Sequence, residues 1–339
     1  MIVDSRPSLT ACGADGDTAG LTALPSAQGS AQDTFAALLW AACAMPGPAW
    51  RVCTDVPHGL PSDRWWEIFV CGQVGVSPYT ALREVTATGN GLPGPVACLT
   101  LGGKGLQGQH GRAWRAEPGN LHLSAAMPCD LDAAQCGPSL PMMAAVALCE
   151  AVEQLAGYGA AREAGLGVKW INDVVLADGK LGGVLTAMRT RGGRITEVFA
   201  GIAMNVTRAP RLEPDPFALP AVSLAAVMTP PSLAAAATAV LARLRERLET
   251  LAARGPADLV EAYLARSLVV GREVGVWEPV IRERLLTGPD TAELPAPTRR
   301  GIVAAILPDL SLVLSGQDEP VRGGCLRLLD DPGAVPGRH

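Results

Sequence analysis

The chain has 339 residues, 48% of them hydrophobic and only 4% aromatic, with a formal net charge of −5. That length passes the size at which single cores stop growing, so one large domain plus a smaller one is expected, packed mainly by Ala, Val and Leu. The acidic balance, with no basic block and no helix-turn-helix pattern, argues against tracking a phosphate backbone, and no nucleic-acid partner is expected.

Residues 1–33, rich in Gly, Ala, Ser, Thr and Asp, read as a variable or disordered leader. A helical pattern over 34–44 puts Phe35, Leu38, Leu39 and Ala42 on one face. Stretches 50–53 and 66–71 read as short strands, and 77–85 as a short helix opening at Pro78. A buried strand over 95–101 leads into a glycine-rich loop, 102–111, and 121–124 alternates like a strand. The clearest helix is 139–155: Ser139 can cap it, Pro141 suits its first turn, Gly157 ends it, and its all-round apolar character argues for burial. Strand-like segments 167–170, 174–176, 183–188 and 196–206, joined by turns at 177–180 and 191–194, form an antiparallel meander. Helices follow at 232–253 and 259–267. After Val269 only short β pieces remain, 273–277, 301–307, 310–314 and 324–329, with a loop at 287–297, which is the texture of a small barrel.

The nine cysteines are odd in number and form no Cys-x-x-Cys pair, so they read as small buried apolar residues in a reducing compartment, not zinc ligands or disulfides. No basic-then-apolar leader opens the chain, and the longest apolar runs, 35–45 and 142–149, are too short to span a bilayer. A cytoplasmic protein without a membrane partner is expected.

Two stretches carry candidate chemistry. In the loop 102–111, five glycines permit positive φ and bring backbone amides close to a ligand as an anion-binding nest, with Lys104, His110 and Arg112 adding charge. A mobile surface turn has the same composition, and the loop lacks both the Gly-Lys-Ser/Thr closure of a phosphate loop and the Rossmann spacing. The second stretch is Lys169-Trp170-Ile171-Asn172-Asp173, followed by Lys180-Leu181-Gly182-Gly183. It sets a lysine on a rigid apolar segment, then an amide, a carboxylate, a second lysine and a glycine pair, the groups needed to hold an anion beside a cation-binding carboxylate. An exposed hairpin with ordinary polar residues is the alternative.

The second stretch resembles the Lys-Trp-Pro-Asn-Asp signature of biotin–protein ligases and the Lys-Leu/Ile-x-Gly-Ile-Leu strand after it. The loop residues Gln107-Gly108-Gln109-His110-Gly111-Arg112-Ala113-Trp114, then Asn120-Leu121-His122-Leu123-Ser124, resemble that family's Gly-Arg-Gly-Arg-x-Gly-Arg-x-Trp and Asn-Leu-Tyr-Leu-Ser. Gly201-Ile202-Ala203-Met204-Asn205-Val206 resembles its Gly-Ile-Gly-Ile-Asn-Val. The resemblance spans 96–206.

It implies an α+β fold: a class II aminoacyl-tRNA synthetase/biotin synthetase-like catalytic domain, an antiparallel sheet flanked by helices, over 34–268. A C-terminal SH3-like β-barrel over 269–329 and a tail, 330–339, complete the chain, without an N-terminal DNA-binding domain. The implied reaction activates a small acid, biotin in the first instance, with Mg²⁺–ATP and passes the acyl group to a lysine of a carrier protein, the enzyme being a monomer or homodimer. Lys169 and Arg112 are the implied catalytic cations, because a fixed positive charge offsets what builds at the reacting phosphorus. Gly105, Gln107, Gly108, Gln109, His110, Gly111 and Trp114 would close over the adenylate; Asn172, Lys180, Gly182, Gly183 and Asn205 would hold it. Asp173 and Asn205 would place Mg²⁺.

The chain departs from the family pattern chiefly on the acid side. The early Ser-Thr-Asn has only Ser77-Pro78-Tyr79-Thr80 as its counterpart, and Gly103 or Lys104 stands where a glutamine precedes the loop. Gln107 and Gln109 replace two loop arginines, and Ile171 replaces the signature proline. These departures leave open a ligase for lipoate or another acid, or a non-catalytic binding homologue.

Overall fold

The computed structural model describes residues 65–87, 94–111, 116–212, 215–287 and 294–329, with positions 21–23, 35, 38, 39, 42, 43, 50–52, 92 and 114. Much of the expected leader, most of the first helix and the tail lie outside these. Where the first helix is described, Phe35 and Leu39 are buried and Leu38 is exposed, so the apolar face is narrower than the pattern suggests.

A nine-stranded sheet organises the chain. Its strands are β1 (Leu21–Ala23), β2 (Trp50–Val52), β3 (Glu67–Cys71), β4 (Val96–Thr100), β5 (Leu121–Asp132), β6 (Gly167–Lys169), β7 (Asp173–Leu176), β8 (Gly179–Arg191) and β9 (Arg194–Met204), in the order β1-β2-β3-β4-β5-β9-β8-β7-β6. The sheet is mixed, since β3 and β4 run parallel while the other pairs are antiparallel. The expected meander is present: two-residue turns at Ala177-Asp178 and Gly192-Gly193, all with positive φ, join β7 to β8 and β8 to β9. β5 runs far beyond the alternating segment 121–124, because its first seven residues are buried on both faces and carry no period-2 signal.

The helices are α1 (Pro78–Val85), α2 (Ala133–Cys136), α3 (Leu140–Ala156), α4 (Tyr158–Glu163), α5 (Leu233–Arg254), α6 (Ala257–Leu264) and α7 (Pro279–Thr287). α3 is the core helix. Pro141 sits in its first turn and Gly157 ends it at φ 85, whereas the Ser139 hydroxyl donates to the Cys136 carbonyl and does not cap. The helical run Ala133–Ala156 is long and apolar enough to cross a membrane by composition, a longer run than 142–149 suggests, but 67% of its most apolar window is buried inside the protein. α5 covers α3 and is capped by the Ser232 hydroxyl. The α3 carboxylates Glu150 and Glu153 pair with Arg247 of α5 and Arg266 beyond α6.

A second sheet of four antiparallel strands, β10 (Glu273–Trp277), β11 (Arg299–Ile306), β12 (Leu312–Leu314) and β13 (Cys325–Leu328), has the order β12-β11-β10-β13. α7, unforeseen in the sequence, lies between β10 and β11. One apolar cluster runs from the large sheet through α3 and α5 into this small sheet. The signature tryptophan fastens the two: Trp170 Nε1 donates to the Leu310 carbonyl at 2.7 Å.

Of the seven described cysteines, all free thiols, five are buried. Desolvation holds the thiols of Cys43 and Cys129 up at about 12, so they are poor nucleophiles. Trp66 is core, and Trp65 packs edge-on against it.

Candidate functional site

A cleft of about 410 Å³ opens over one face of β5, β9 and β8. Strand alternation puts every second residue on that face, giving two rows across the sheet: His122, Ala203 and Gly183, then Ser124, Gly201 and Leu185. The glycines keep the floor low. A Cβ at Gly201 would lie 3.2 Å from the Tyr79 ring, and one at Gly183 would meet Lys180. Gly182 points the other way, toward Leu148 of α3, where a Cβ would collide with the Ala203 carbonyl. Gly183 therefore serves the cleft and Gly182 the packing beneath it.

One end of the cleft is charged. Lys180 Nζ lies 2.6 Å from Asp173 Oδ1 and 5.4 Å from the Trp114 ring centroid. The Lys169 amine is buried below the cleft surface and donates to the Phe217 carbonyl at 2.9 Å. Burial lowers its pKa, an effect the Asp173 and Asp215 carboxylates oppose and the Lys180 and Arg282 charges reinforce. At the rim, Arg282 of α7 ion-pairs with Asp215. Asn172 lines the cleft while its amide donates to the Val184 carbonyl at 2.7 Å. Asn205 accepts from Asn120 at 3.3 Å and donates to the Val222 carbonyl at 3.0 Å. Asn120, in turn, accepts from the backbone amides of Val206, Thr207 and Arg208 and so builds the turn after β9.

The glycine loop has two parts. Its first part is pinned to the segment after β3, with Val74 donating to the Gly102 carbonyl and Lys104 to the Val74 carbonyl. Gly103 (φ 135) and Gly105 (φ 75) are required there, because a Cβ would strike the backbone of Val74 or Gly75. Its second part, Gln107, Gly108 and Gln109, lines the cleft, and Trp114 folds back so that its amide donates to the Leu106 carbonyl. Lys104 is exposed and lies off the cleft.

The other end of the cleft is polar but uncharged, lined by Ser77, Tyr79, Thr100, His122 and Ser124. Ser77 stands at the N-cap of α1 without using its hydroxyl as a cap. His122 is 4% exposed, and neither ring nitrogen has a hydrogen-bond partner. Desolvation pulls its pKa down to about 4, an effect that the nearby Glu117 backbone, outside hydrogen-bond geometry, opposes.

Residues 96–205 match the model of the biotin/lipoate A/B protein ligase family. The chain is 30% identical over 217 residues to the biotin–[acetyl-CoA-carboxylase] ligase of Mycobacterium tuberculosis, a stretch covering 63% of this chain and 76% of that protein. The chain belongs to the biotin/lipoate protein ligase family. It is also 32% identical over 110 residues to the bifunctional ligase/repressor BirA of Bacillus subtilis, spanning 32% of that protein's length and 32% of its own. In fold it is similar to the Aquifex aeolicus biotin protein ligase in complex with biotin and ATP, with a TM-score of 0.53 and 18% identity over 77% of this chain and 97% of that one.

Of the residues expected from the sequence to serve a ligase-family site, Gln107, Gly108, Gln109, Trp114, Asn172, Lys180, Gly183 and Asn205 line the cleft together. Lys169 and Gly182 lie beneath it, and Gly105 supports the loop from behind. Gly111 is exposed at the end of the loop's 3-10 turn. Arg112 and the His110 side chain fall outside the described residues. Of the two expected metal positions, Asp173 pairs with Lys180, and the Asn205 side chain accepts from Asn120 and donates to the Val222 carbonyl. Among the described residues, no group of three or more His, Cys, Asp or Glu side chains could hold a metal ion.

Sequence reasoning missed Thr100, His122, Ser124, Asp215 and Arg282, and passed over Ser77 and Tyr79 as a poor match. Strand pairing puts Ser124 on the cleft face with His122, but the two-sided burial of β5 hides that face in the sequence. Nothing local marks Arg282, which arrives on a helix from the small sheet.

Proposed function

We propose that this chain is a biotin–protein ligase: it condenses biotin with ATP and passes the biotinyl group to a lysine of a carrier protein. In the first step a carboxylate oxygen attacks the α-phosphorus, and pyrophosphate leaves. In the second, the uncharged lysine amine attacks the acyl carbon, AMP leaves with the bonding pair, and the nitrogen sheds a proton. The observation that carries this reading is the polarity of the cleft, with lysines gathered at one end and uncharged hydrogen-bonding groups at the other. An acid with a neutral polar head and an anionic tail fits that gradient. The apolar dithiolane of lipoate would leave the buried polar groups unpaired, which disfavours it.

Lys180 would hold the carboxylate and α-phosphate end. Lys169, displaced from the Phe217 carbonyl, would add the second charge as the pentacoordinate phosphorus forms. Asn172 and Asn205 fix the strand ends around them. The 105–111 loop would cover the adenylate and exclude water, and Arg112 would help neutralise its anionic charge. The four-stranded sheet reads as an SH3-like barrel of a 269–329 module attached to a catalytic domain over 34–268, a reading supported by its short, antiparallel strands.

ATP–pyrophosphate exchange with Mg²⁺, offering biotin and lipoate separately, tests the proposal. Exchange with biotin is expected; exchange with lipoate alone or with neither acid overturns it.

A further inference from the structure

We propose that His122 selects the acid by hydrogen-bonding its uncharged polar head, an amide- or urea-like group that offers both a donor and an acceptor. This rests on the activity proposed above and assigns the discrimination to one residue.

His122 is 96% buried, by its 4% relative exposure, and lines the cleft. Neither nitrogen meets hydrogen-bond geometry with a protein partner, the Glu117 backbone being close but not in line. Leaving a buried polar group without a partner is costly, so such a group lining a ligand cleft is made good by the ligand. A neutral imidazole presents one N–H and one lone pair on the two sides of its ring. The complementary group therefore carries an acceptor and a donor and bears no charge.

The position fits the length of the acid. His122 on β5 pairs with Ala203 on β9, which pairs with Gly183 on β8. Two strand spacings separate His122 from Gly183, about 10 Å. Over Gly183 stands the Lys180 amine, 3.5 Å from where a Cβ would be. A molecule lying across the strands with its carboxylate at Lys180 thus presents its far end to His122. Thr100, one position beyond the Leu99–Leu123 pair, and Ser124, two positions along β5, place hydroxyls beside the imidazole. The intervening floor is Ala203 and Gly183, which suits an aliphatic linker. A packed core histidine would share the burial, but it would not line a cleft with both nitrogens unpaired.

The test uses the full chain and ATP–pyrophosphate exchange. Biotin and ATP are varied separately for wild type, His122→Phe and His122→Gln, and octanoate, an acid without a polar head, serves as competitor. His122→Phe should raise KM for biotin by roughly tenfold, with kcat, KM for ATP and the octanoate Ki unchanged. His122→Gln, which keeps one donor and one acceptor, should recover much of the loss, and it remains the informative variant if His122→Phe fails to fold. A biotin KM within about twofold of wild type in a folded, active variant would reduce His122 to a packing residue. Wild-type protein that fails to exchange with biotin would overturn the activity and this assignment together, an outcome distinguished by appearing before any substitution is made.

Discussion

Arg282, on a helix of the small-sheet module, ion-pairs with Asp215 at the rim of the cleft cut into the large sheet. The glycine loop, meanwhile, presents Gln107 and Gln109 where the family pattern has arginines. α7 thus brings a cation to the cleft, at what is, on the proposed reading, its nucleotide end. Arg282→Ala should raise KM for ATP by about tenfold while leaving KM for biotin near its wild-type value, because a charge-assisted contact to phosphate is lost. A fall in melting temperature with no change in the ATP term would make the pair a tie between the sheets and nothing more.

Lys169 differs from Lys180 in being buried, with its amine on the Phe217 carbonyl. Its removal should act on the chemical step. Lys169→Ala is expected to cut kcat for exchange by roughly two orders of magnitude or more, the usual effect of deleting a cation aimed at transition-state charge. Single-turnover adenylate formation measures this directly. Wild-type kcat in Lys169→Ala would leave the lysine only its anchoring of Phe217.

The site was legible where backbone and chemistry share short motifs. Asn172 of the Lys169–Asp173 signature and Gly183 meet at one cleft because a meander keeps sequence neighbours spatial neighbours, and Gln107, Gly108, Gln109 and Trp114 reach the same cleft from the loop before β5. Two features hid the rest. β5 is buried on both faces near its start, so alternation does not reveal that His122 and Ser124 share the cleft face. α7 lies in a part of the chain where short strands dominate the pattern, so Arg282 carried no local signal. The parallel β3–β4 pair was equally hidden, since strand direction depends on the path through α1 and not on either strand's residues.

The adjacent glycines 182 and 183 should respond differently to the same methyl group. At Gly182 a Cβ runs into the Ala203 carbonyl and approaches Leu148, so Gly182→Ala should destabilise the fold by about 2–3 kcal/mol, read from urea denaturation. At Gly183 the nearest atom would be Lys180 Cε at 3.4 Å, an ordinary contact. Gly183→Ala should keep the wild-type urea midpoint within error while raising KM for the acid, because the methyl rises from the cleft floor. Equal destabilisation by both would contradict the opposite facing of the two positions.

Tyr263 is wholly buried, and its hydroxyl donates to the Ile171 carbonyl at 2.8 Å. This bond holds the signature segment from α6, one residue before Asn172. Tyr263→Phe keeps the ring and removes only the donor, which should cost about 1 kcal/mol or slightly more because the carbonyl is left unpaired. A melting temperature unchanged from wild type would show that the segment is fixed by Trp170 and its strand neighbours alone.

The imidazole of His122 also makes a pH-dependent contribution to stability. Its pKa falls from 6.5 to about 4 on folding, chiefly by desolvation. Between those values the unfolded chain binds the proton that the folded chain refuses, so protons favour unfolding. The associated stability is therefore fully present above pH 6.5, declines as pH falls through the window, and is exhausted below about 4. The shift corresponds to about 3 kcal/mol across the whole window. Urea midpoints for wild type and His122→Gln, measured at intervals from neutral pH to pH 4, isolate the effect, because titrating carboxylates are common to both proteins. The wild type should lose stability faster than the variant on acidification. Parallel curves would mean that the imidazole gains a proton in the folded protein as easily as in the unfolded chain, so that the unpaired, neutral ring inferred at the cleft floor could not stand.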